Sequence, residues 1–600
     1  MCGICGIIDK DKFNKIEKNL IQGMNNVSLH RGPDGEGYYH HKNLAFGHRR
    51  LAIIDLTENG HQPMISSQYS ITYNGEIYNY IEIKDELIDI GYKFKSQSDT
   101  EVILAAYDRW GYDCVKKFNG MWSFAIHDRK KEIIFCSRDR FGIKPFYYST
   151  NSKYFCFASE IKQILKINNN TIVNIQVASN YLIKGLEEYS EETFFKGIYK
   201  LMPSNNLIYD LNNNTFLIEK YYQLSESSKL EYNLETAVNK ASYIFNSSVE
   251  LRLRSDVKVG SCLSGGLDSS GICSIAEKLN RNNNFKKFNA IHAKSVETKT
   301  DESFFAEVVK ERLDLSLDIV EPSLNELSEV MDDVIITQEE PFGGPSIIMQ
   351  YFVMKKSKEI NCKVLLDGQG ADEVFLGYER YHSYFLASMI KNLNFVGFFK
   401  YFKEIKCFKL SKLNITLRSF LIIFNGIFSI LKNKRNQIRL KSEKKENNKL
   451  DFNLNNLISY QITEITKNNL PSLLKYEDKN SMSQSIETRL PFLDYRLVEY
   501  LLKVDDKLKL KNGYLKFILR KILEKSLPEN IVWRTNKYGF EAPTNSWIKD
   551  NKDSMISIIN SSHIINKFFV IGKFSKLNYN ELWRLYCFSK WEHIYNVRVE

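Results

Sequence analysis

Six hundred residues are too many for one hydrophobic core, so two or more domains are expected. The 43% hydrophobic and 26% charged residues are ordinary for a soluble globular protein. Net charge is +11, but Lys and Arg are dispersed with no basic stripe interleaved with aromatics. That argues against nucleic-acid binding and leaves a mild attraction for anions. Ten cysteines hold a single Cys-x-x-Cys spacing, Cys2 to Cys5, with no second to pair with it; they suggest neither zinc nor a disulfide framework, and fit a reducing cytoplasm. The amino terminus lacks a charged stretch followed by a long apolar one, so no signal peptide is expected.

The first stretch of interest is an apolar strand, Cys2–Ile8. Removing Met1 would leave Cys2 with a free α-amine, and an N-terminal nucleophile carries its own base in that amine. His30-Arg31-Gly32-Pro33-Asp34 is a turn of restricted geometry. His48-Arg49-Arg50-Leu51-Ala52-Ile53-Ile54-Asp55 joins two arginines to an apolar strand, with Arg49 expected to be an exposed charge. Tyr73-Asn74-Gly75-Glu76 sets an amide donor, a glycine and a carboxylate side by side. Asn74-Gly75 alone would also suit a hairpin turn. Ser98-Asp99-Thr100-Glu101 has the N-cap pattern of a helix start. Phe118–Ala125 and Arg138–Pro145 complete a strand-rich layer. Polar, turn-rich residues then place a linker over 213–235, dividing a domain of 1–212 from one of 236–600.

A helical pattern from Leu234 through Leu253 leads into a strand containing Val257, Val259 and Leu263. It ends in Ser264-Gly265-Gly266-Leu267-Asp268-Ser269-Ser270, and a helical pattern runs from Ser269 to Leu279. Strand, glycine turn and helix N-terminus together make an anion site. The two glycines allow close approach of backbone to a phosphate, the serines add hydroxyl donors, and Asp268 is suited to hold Mg²⁺. The Gly-Lys-Ser/Thr ending of a Walker loop is missing. Further strands over Phe288–Ala293, Leu317–Val320 and Lys363–Leu366, with a helix over Ser303–Leu313, argue a doubly wound parallel sheet. Glu340 reads equally as a turn cap or as a working carboxylate. Lys475–Met482 and Glu487–Asp494 carry polar residues in a helical pattern that solvation alone would explain. Leu413–Leu431 is a long apolar run interrupted by Arg418 and Asn425, expected to be a buried or interfacial helix and not a membrane span. Lys432–Lys449 reads as a mobile charged loop.

The loop at 264–270 resembles the pyrophosphate-binding loop of enzymes that cleave ATP to AMP and pyrophosphate. The segment from Cys2 to about Asn213 resembles the glutaminase domain of N-terminal-nucleophile amidotransferases. The chain as a whole resembles the glutamine-hydrolysing asparagine synthetases of type B, over nearly its full length. The resemblance implies an α+β glutaminase domain of stacked antiparallel sheets between helices. An α/β doubly wound synthetase domain with C-terminal helices would follow it.

It also implies roles. Cys2 would be the nucleophile, and the Asn74 side chain and Gly75 N–H the oxyanion hole. Arg50 would clamp the glutamine carboxylate, and Glu76 and Asp99 would receive its ammonium. Leu263, Ser264, Gly265, Gly266, Leu267, Asp268, Ser269, Ser270, His292, Asp367, Gly368 and Gln369 would surround ATP. Asp268 and Asp372 would hold Mg²⁺. Lys516 would neutralise charge at the α-phosphate. Gln369 stands where the short bacterial form has glutamate and cannot accept a proton, which makes Glu340 a candidate replacement. The trailing Trp533–Phe540 would be a flap.

The expected reaction is asparagine synthesis: ammonia released from glutamine passes between domains to aspartate adenylated by ATP. The expected partners are glutamine, aspartate and ATP, with no nucleic acid, a homodimer as one arrangement, and a cytoplasmic location. An amidotransferase acting on another carboxylate, such as a sugar acid, is the close alternative. An amide-forming cyclase needs no ammonia and is disfavoured by Cys2, Arg50, Asn74, Glu76 and Asp99. A non-catalytic regulatory or membrane-associated scaffold is disfavoured by the intact nucleophile and loop.

Overall fold

The computed structural model describes residues 2–168, 171–226, 229–230, 233–282, 287–297, 301–423, 437–441, 456–536 and 544–600. Residues 3–9 alternate small and apolar side chains, and both faces of the strand they form are covered. Ile4 and Ile8 point one way, Cys5 and Ile7 the other, and all four are fully buried. This strand, Gly3–Asp9, lies inside a six-stranded antiparallel sheet between Tyr154–Ala158 and Leu44–Arg50. A second six-stranded antiparallel sheet contains Tyr69–Ile77 between Met64–Ile65 and Gly120–Asp128. Ile4, Phe46, Phe155 and Phe157 of the first sheet meet Ala125, Ile134, Cys136 and Leu207 of the second in one core. Helices Tyr80–Asp89 and Asp99–Trp110 cover the outer face of the second sheet. Helices Lys18–Asn26 and Ile161–Asn168 cover that of the first. The expected sandwich between helices is present. Its edge strand, Thr215–Lys220, lies within the stretch read as linker, and pairs with Asn205–Asp210.

The helix foreseen from Leu234 spans Leu234–Arg252. It precedes a five-stranded parallel sheet in the order Ser316–Val320, Asn289–Ala293, Val259–Cys262, Val364–Leu366, Glu487–Arg489. Connections leave the central strand Val259–Cys262 on opposite sides, so the strand order reverses there. In such sheets the crevice at the carboxyl ends of the strands at that point is where ligands bind.

Four readings of the sequence need correction. Glu487–Arg489 is the fifth strand and not helical. Lys475–Met482 is helical, within Leu470–Ser483, but buried and not solvated. Arg49 is largely covered by its pair with Glu36 at 2.8 Å. Within the expected loop 432–449, Ile438–Leu440 pairs with Phe569–Ile571. Of the apolar run, residues 413–423 belong to the helix Lys412–Ile423. Residues 424–436, 442–455 and the flap residues 537–540 lie outside the described part. Among the described residues, no helix is long and apolar enough to cross a membrane.

Charged side chains fill the contact between the two halves. Arg31, fully buried, donates from Nη1 and Nη2 to the two oxygens of Asp478, at 2.9 and 3.2 Å, and from Nη1 to Glu160 at 3.2 Å. Lys144 reaches Asp478 at 3.4 Å, and Lys475 joins Glu188 and Glu340 at 3.1 and 2.6 Å. Truncating one member of such a set strands its partners as unpaired buried charges. Arg31→Ala is therefore expected to weaken the contact between the halves by about 3–5 kcal/mol. In a denaturant titration the glutaminase and synthetase halves should then unfold in separate transitions where the parent unfolds in one.

Candidate active sites

Cys2 directly precedes the first strand and is buried. Its backbone N donates to Asn74 Oδ1 at 3.0 Å, and its carbonyl accepts from Arg31 Nε at 3.0 Å. Burial raises the thiol pKa, while the amino-terminal charge, the Leu51 N–H and Arg50 act against that rise. Asn74 and Gly75 sit inside the strand Tyr69–Ile77 and form no hairpin turn. With Asn74 Oδ1 engaged, its Nδ2 is left as a buried donor with no partner. An orphaned buried amide costs free energy unless something else accepts from it. Gly75 packs so closely that a Cβ there would lie 2.1 Å from the Met121 carbonyl oxygen.

A small cavity is lined by Cys2, Arg50, Tyr73, Gly75, Glu76 and Asp99 among others. Arg50, the last residue of its strand, is oriented by the carbonyls of Thr57, at 2.9 Å, and Asp55. Asp99 opens the helix capped by Ser98, and its Oδ2 accepts from Ile77 N–H at 2.9 Å and Tyr73 OH at 2.8 Å. Burial nevertheless lifts the Asp99 carboxyl to about 6. Burial and the neighbouring Glu487 push Glu76 well above the usual carboxylate range. One Glu76 oxygen has no partner, and the other lies 3.6 Å from Arg489 of the synthetase half. Two carboxyl groups facing a buried cavity, short of cationic partners, suit an incoming ammonium. Of the five residues singled out in the first half, Arg50, Gly75, Glu76 and Asp99 line one cavity with Cys2, and the fifth, Asn74, meets Cys2 through its Oδ1.

The second site sits at the carboxyl end of Val259–Cys262. The helix that follows starts at Leu267, two residues earlier than the pattern indicated. Ser264 N–H donates to Ser269 Oγ at 3.1 Å, and Gly266 N–H to Ser264 Oγ at 3.3 Å. Gly265 has φ +74°, and a Cβ there would lie 2.7 Å from the Ala306 nitrogen, so only glycine fits the turn. Ser270 Oγ is buried with no partner. His292 supports the loop from behind: Nδ1 lies 2.8 Å from the Leu263 carbonyl and Nε2 3.1 Å from Ser303 Oγ. Burial lowers its pKa, which favours the neutral ring. Gly368 lies against Asp268, with a notional Cβ 3.3 Å from the Asp268 Cβ, and Gln369 N–H donates to Asp367 Oδ1 at 3.2 Å.

Lys516 joins the two candidate metal ligands. Its ammonium contacts Asp268 at 2.7 and 2.8 Å and Asp372 at 2.6 Å. Its backbone has φ +54°, an unfavourable conformation for lysine that marks a position held by its surroundings. All three line a cavity of about 410 Å³. Two adjacent carboxylates offering only oxygen suit a Mg²⁺ that arrives on phosphate oxygens. Among the described residues there is no group of three His, Cys, Asp or Glu that would hold an ion alone.

Glu340 does not face this cavity. One of its oxygens accepts from Phe194 N–H at 2.8 Å and the other from Lys475 at 2.6 Å, so it ties the two halves together. The carboxylate near Gln369 is Glu477, on the helix Leu470–Ser483. Its pKa is raised well above the usual range by burial and by Asp367, and Gln369 and Thr488 act against that rise. Glu477, Glu487, Arg489, Asp478 and Lys144 were not singled out from the sequence. The available signal was a polar alternation, Glu487-Thr488-Arg489, in a place where solvation seemed sufficient.

The glutamine amidotransferase domain family matches residues 1–222 and the asparagine synthase family residues 241–577. Asparagine synthetase (glutamine-hydrolyzing) 1 of Bacillus subtilis is 30% identical over 633 aligned positions, covering 99% of this chain and 97% of that protein. Asparagine synthetase (glutamine-hydrolyzing) 3 of the same organism is 30% identical over 597 positions, covering 93% and 91%. A glutamine amidotransferase domain followed by an asparagine synthase domain on one chain defines a two-domain amidotransferase. The chain belongs to the glutamine-hydrolysing asparagine synthetase family.

A carboxyl titrating at about 6 holds an ammonium well above that pH and poorly below it. Glutamine KM is therefore expected to rise as pH falls through about 6. In Asp99→Asn, KM should be high at every pH, and the step attributable to Asp99 should vanish from a plot of log KM against pH.

Proposed function

We propose that the protein makes asparagine from aspartate, with glutamine as nitrogen donor and ATP as activator. Cys2 Sγ attacks the glutamine amide carbon, and its proton leaves with the nitrogen as ammonia. The oxyanion is held by Asn74 Nδ2 and the Gly75 N–H. Water then cleaves the thioester to glutamate and frees Cys2. Arg50 takes the glutamine carboxylate, and Glu76 and Asp99 its ammonium.

At the second site an aspartate carboxylate oxygen attacks the α-phosphorus of ATP, and pyrophosphate leaves. A bare carboxylate is a poor acceptor for ammonia, whereas the acyl-adenylate carries AMP as leaving group. The serine-glycine loop 264–270 and Lys516 neutralise the phosphates. Mg²⁺, held by Asp268 and Asp372, would supply further charge neutralisation on the pyrophosphate oxygens. His292, Leu263, Asp367, Gly368 and Gln369 shape the nucleotide side of the crevice. When ammonia adds to the acyl carbon it must lose a proton. Glu477, beside Gln369 and Asp367, takes the place that Glu340 does not fill.

The observation that carries the reading is the Lys516 ammonium shared by Asp268 and Asp372 beneath the loop. Passage of ammonia between the sites is supported by a shared apolar core. Leu51, Met121 and Ile143 of the glutaminase half pack in one cluster with Leu263, Leu490 and Leu493 of the synthetase half. An apolar route favours neutral ammonia over ammonium.

Cys2→Ala is expected to abolish asparagine formation from glutamine while sparing formation from ammonium chloride. Asp268→Asn should remove pyrophosphate release and leave glutaminase turnover in place. Mass spectrometry of the adenine product should find AMP, and finding ADP would refute adenylation. If pyrophosphate release needs a sugar acid in place of aspartate, the acceptor assignment fails and the chemistry stands.

A further inference from the structure

Two helices at the edge of the synthetase half turn their apolar residues the wrong way for a surface facing water. Helix Phe395–Glu404 packs Phe398 and Tyr401 inward, with Ile405 just after it, against the helix Arg380–Lys391. Its opposite face, at positions one helical side apart, carries Phe395, Val396 and Phe399, which are 52%, 85% and 61% exposed. Helix Lys412–Ile423 packs Ile415 inward in the same way. Outward it shows Leu413, Leu417 and Leu421, one turn apart, and Phe420. Leu393, just before the first helix, is 76% exposed. A helix on a globular surface normally presents polar residues to solvent, and a contiguous apolar face marks a contact surface.

The charge along this segment is predominantly positive, although Glu379 also lies against it, accepting from the backbone of Phe408, Lys409 and Leu410. Residues 391–423 contain Lys391, Lys400, Lys403, Lys406, Lys409, Lys412 and Arg418 against the single acid Glu404, a net +6 of the chain's +11. Lys400, Lys403, Lys406, Lys409 and Arg418 are exposed. Phenylalanine and leucine flanked by lysine and arginine, on short helices lying side by side, is the chemistry of an interfacial helix on an anionic bilayer. The apolar side chains enter the acyl boundary and the cations meet lipid phosphates. A protein partner would also need to be acidic and apolar together, and a second copy of this face carries the same positive charge.

We propose that residues 393–421 form a membrane-docking surface that seats the enzyme on an anionic phospholipid bilayer. The segment also reaches the synthetase cavity, whose wall includes Lys406, Lys409, Leu410 and Arg418 alongside Asp268, Asp372 and Lys516.

The full-length protein is to be floated with vesicles of phosphatidylcholine alone and with about one quarter phosphatidylglycerol, a charge density at which each lysine adds measurably to binding. Expected is co-flotation with the phosphatidylglycerol vesicles only, lost at about 1 M salt, where the Debye length is roughly 3 Å. A Val396→Ser, Phe399→Ser double variant and a Lys400→Glu, Lys403→Glu double variant should each lower the bound fraction by roughly tenfold or more. Both should retain parental glutamine hydrolysis, which reports on folding and on the glutaminase site alone. No flotation of the parent, or flotation that persists in both variants, overturns the proposal. So does light scattering that shows a parent dimer becoming a monomer in the serine variant, since a second copy then covers the face.

Discussion

The Arg31 guanidinium holds the two halves of the chain in the relation that the chemistry needs. From one buried side chain it donates to the Cys2 carbonyl, to Glu160 and to both oxygens of Asp478. Cys2 is therefore held by the same group that docks the synthetase helix Leu470–Ser483. Removing a guanidinium from water is costly, and only a full set of anionic and carbonyl acceptors offsets that cost. The set here comes from three separated stretches of chain, so it exists only when both halves are folded and in register. Lys144 with Asp478 and Lys475 with Glu188 repeat the arrangement across the same contact, and Glu340 and Glu339, paired with Lys475 and Lys479, accept from Phe194 and Ile161 N–H of the glutaminase half.

Charge at the interface and apolarity at its centre serve different ends. Buried ion pairs fix geometry without adding much net stability. The apolar cluster around Met121, Ile143 and Leu490 supplies the hydrophobic burial. A contact made only of apolar groups could slide, and one made only of charges would solvate and protonate ammonia. The combination specifies one docking geometry and leaves a dry interior.

Much of this was legible in the sequence because it is local. The strand, glycine turn and helix around Ser264–Ser270 require particular residues at adjacent positions, and the first four parallel strands are short runs of apolar residues between turns. Cys2 drew attention by its place after Met1, whereas the roles of Arg50, Asn74, Glu76 and Asp99 came with the family resemblance, because each alone also suits an ordinary surface, turn or cap position. What was not legible depends on partners distant in sequence. Glu340 looked like a spare carboxylate until Phe194 and Lys475 were seen to occupy both its oxygens. Glu487-Thr488-Arg489 looked like a solvated helix because three polar residues make an improbable interior strand. Their cost is met by Arg252, Arg254 and Glu76, none of them near in the chain. Periodicity reports burial correctly only when buried residues are apolar.

That polar strand also brings the two sites within one residue of each other. The Arg489 carbonyl accepts from Asp367 N–H at 2.9 Å, at the turn that leads to Gly368, Gln369 and Asp372. The Arg489 guanidinium donates from Nε to Glu487 at 2.5 Å and points Nη2 toward Glu76, with no acceptor within hydrogen-bond distance of that nitrogen. A shift of the Asp367 turn as the synthetase site fills would move the strand backbone, and with it the Arg489 guanidinium beside Glu76. Because Glu76 is buried and already hard to ionise, a small change in that distance alters its affinity for an ammonium more than it would at the surface. On the proposed reaction, the site that releases ammonia and the site that consumes it would both lean on this one strand of the parallel sheet. The link requires a charged side chain in a position where a hydrophobic one would have been cheaper to fold.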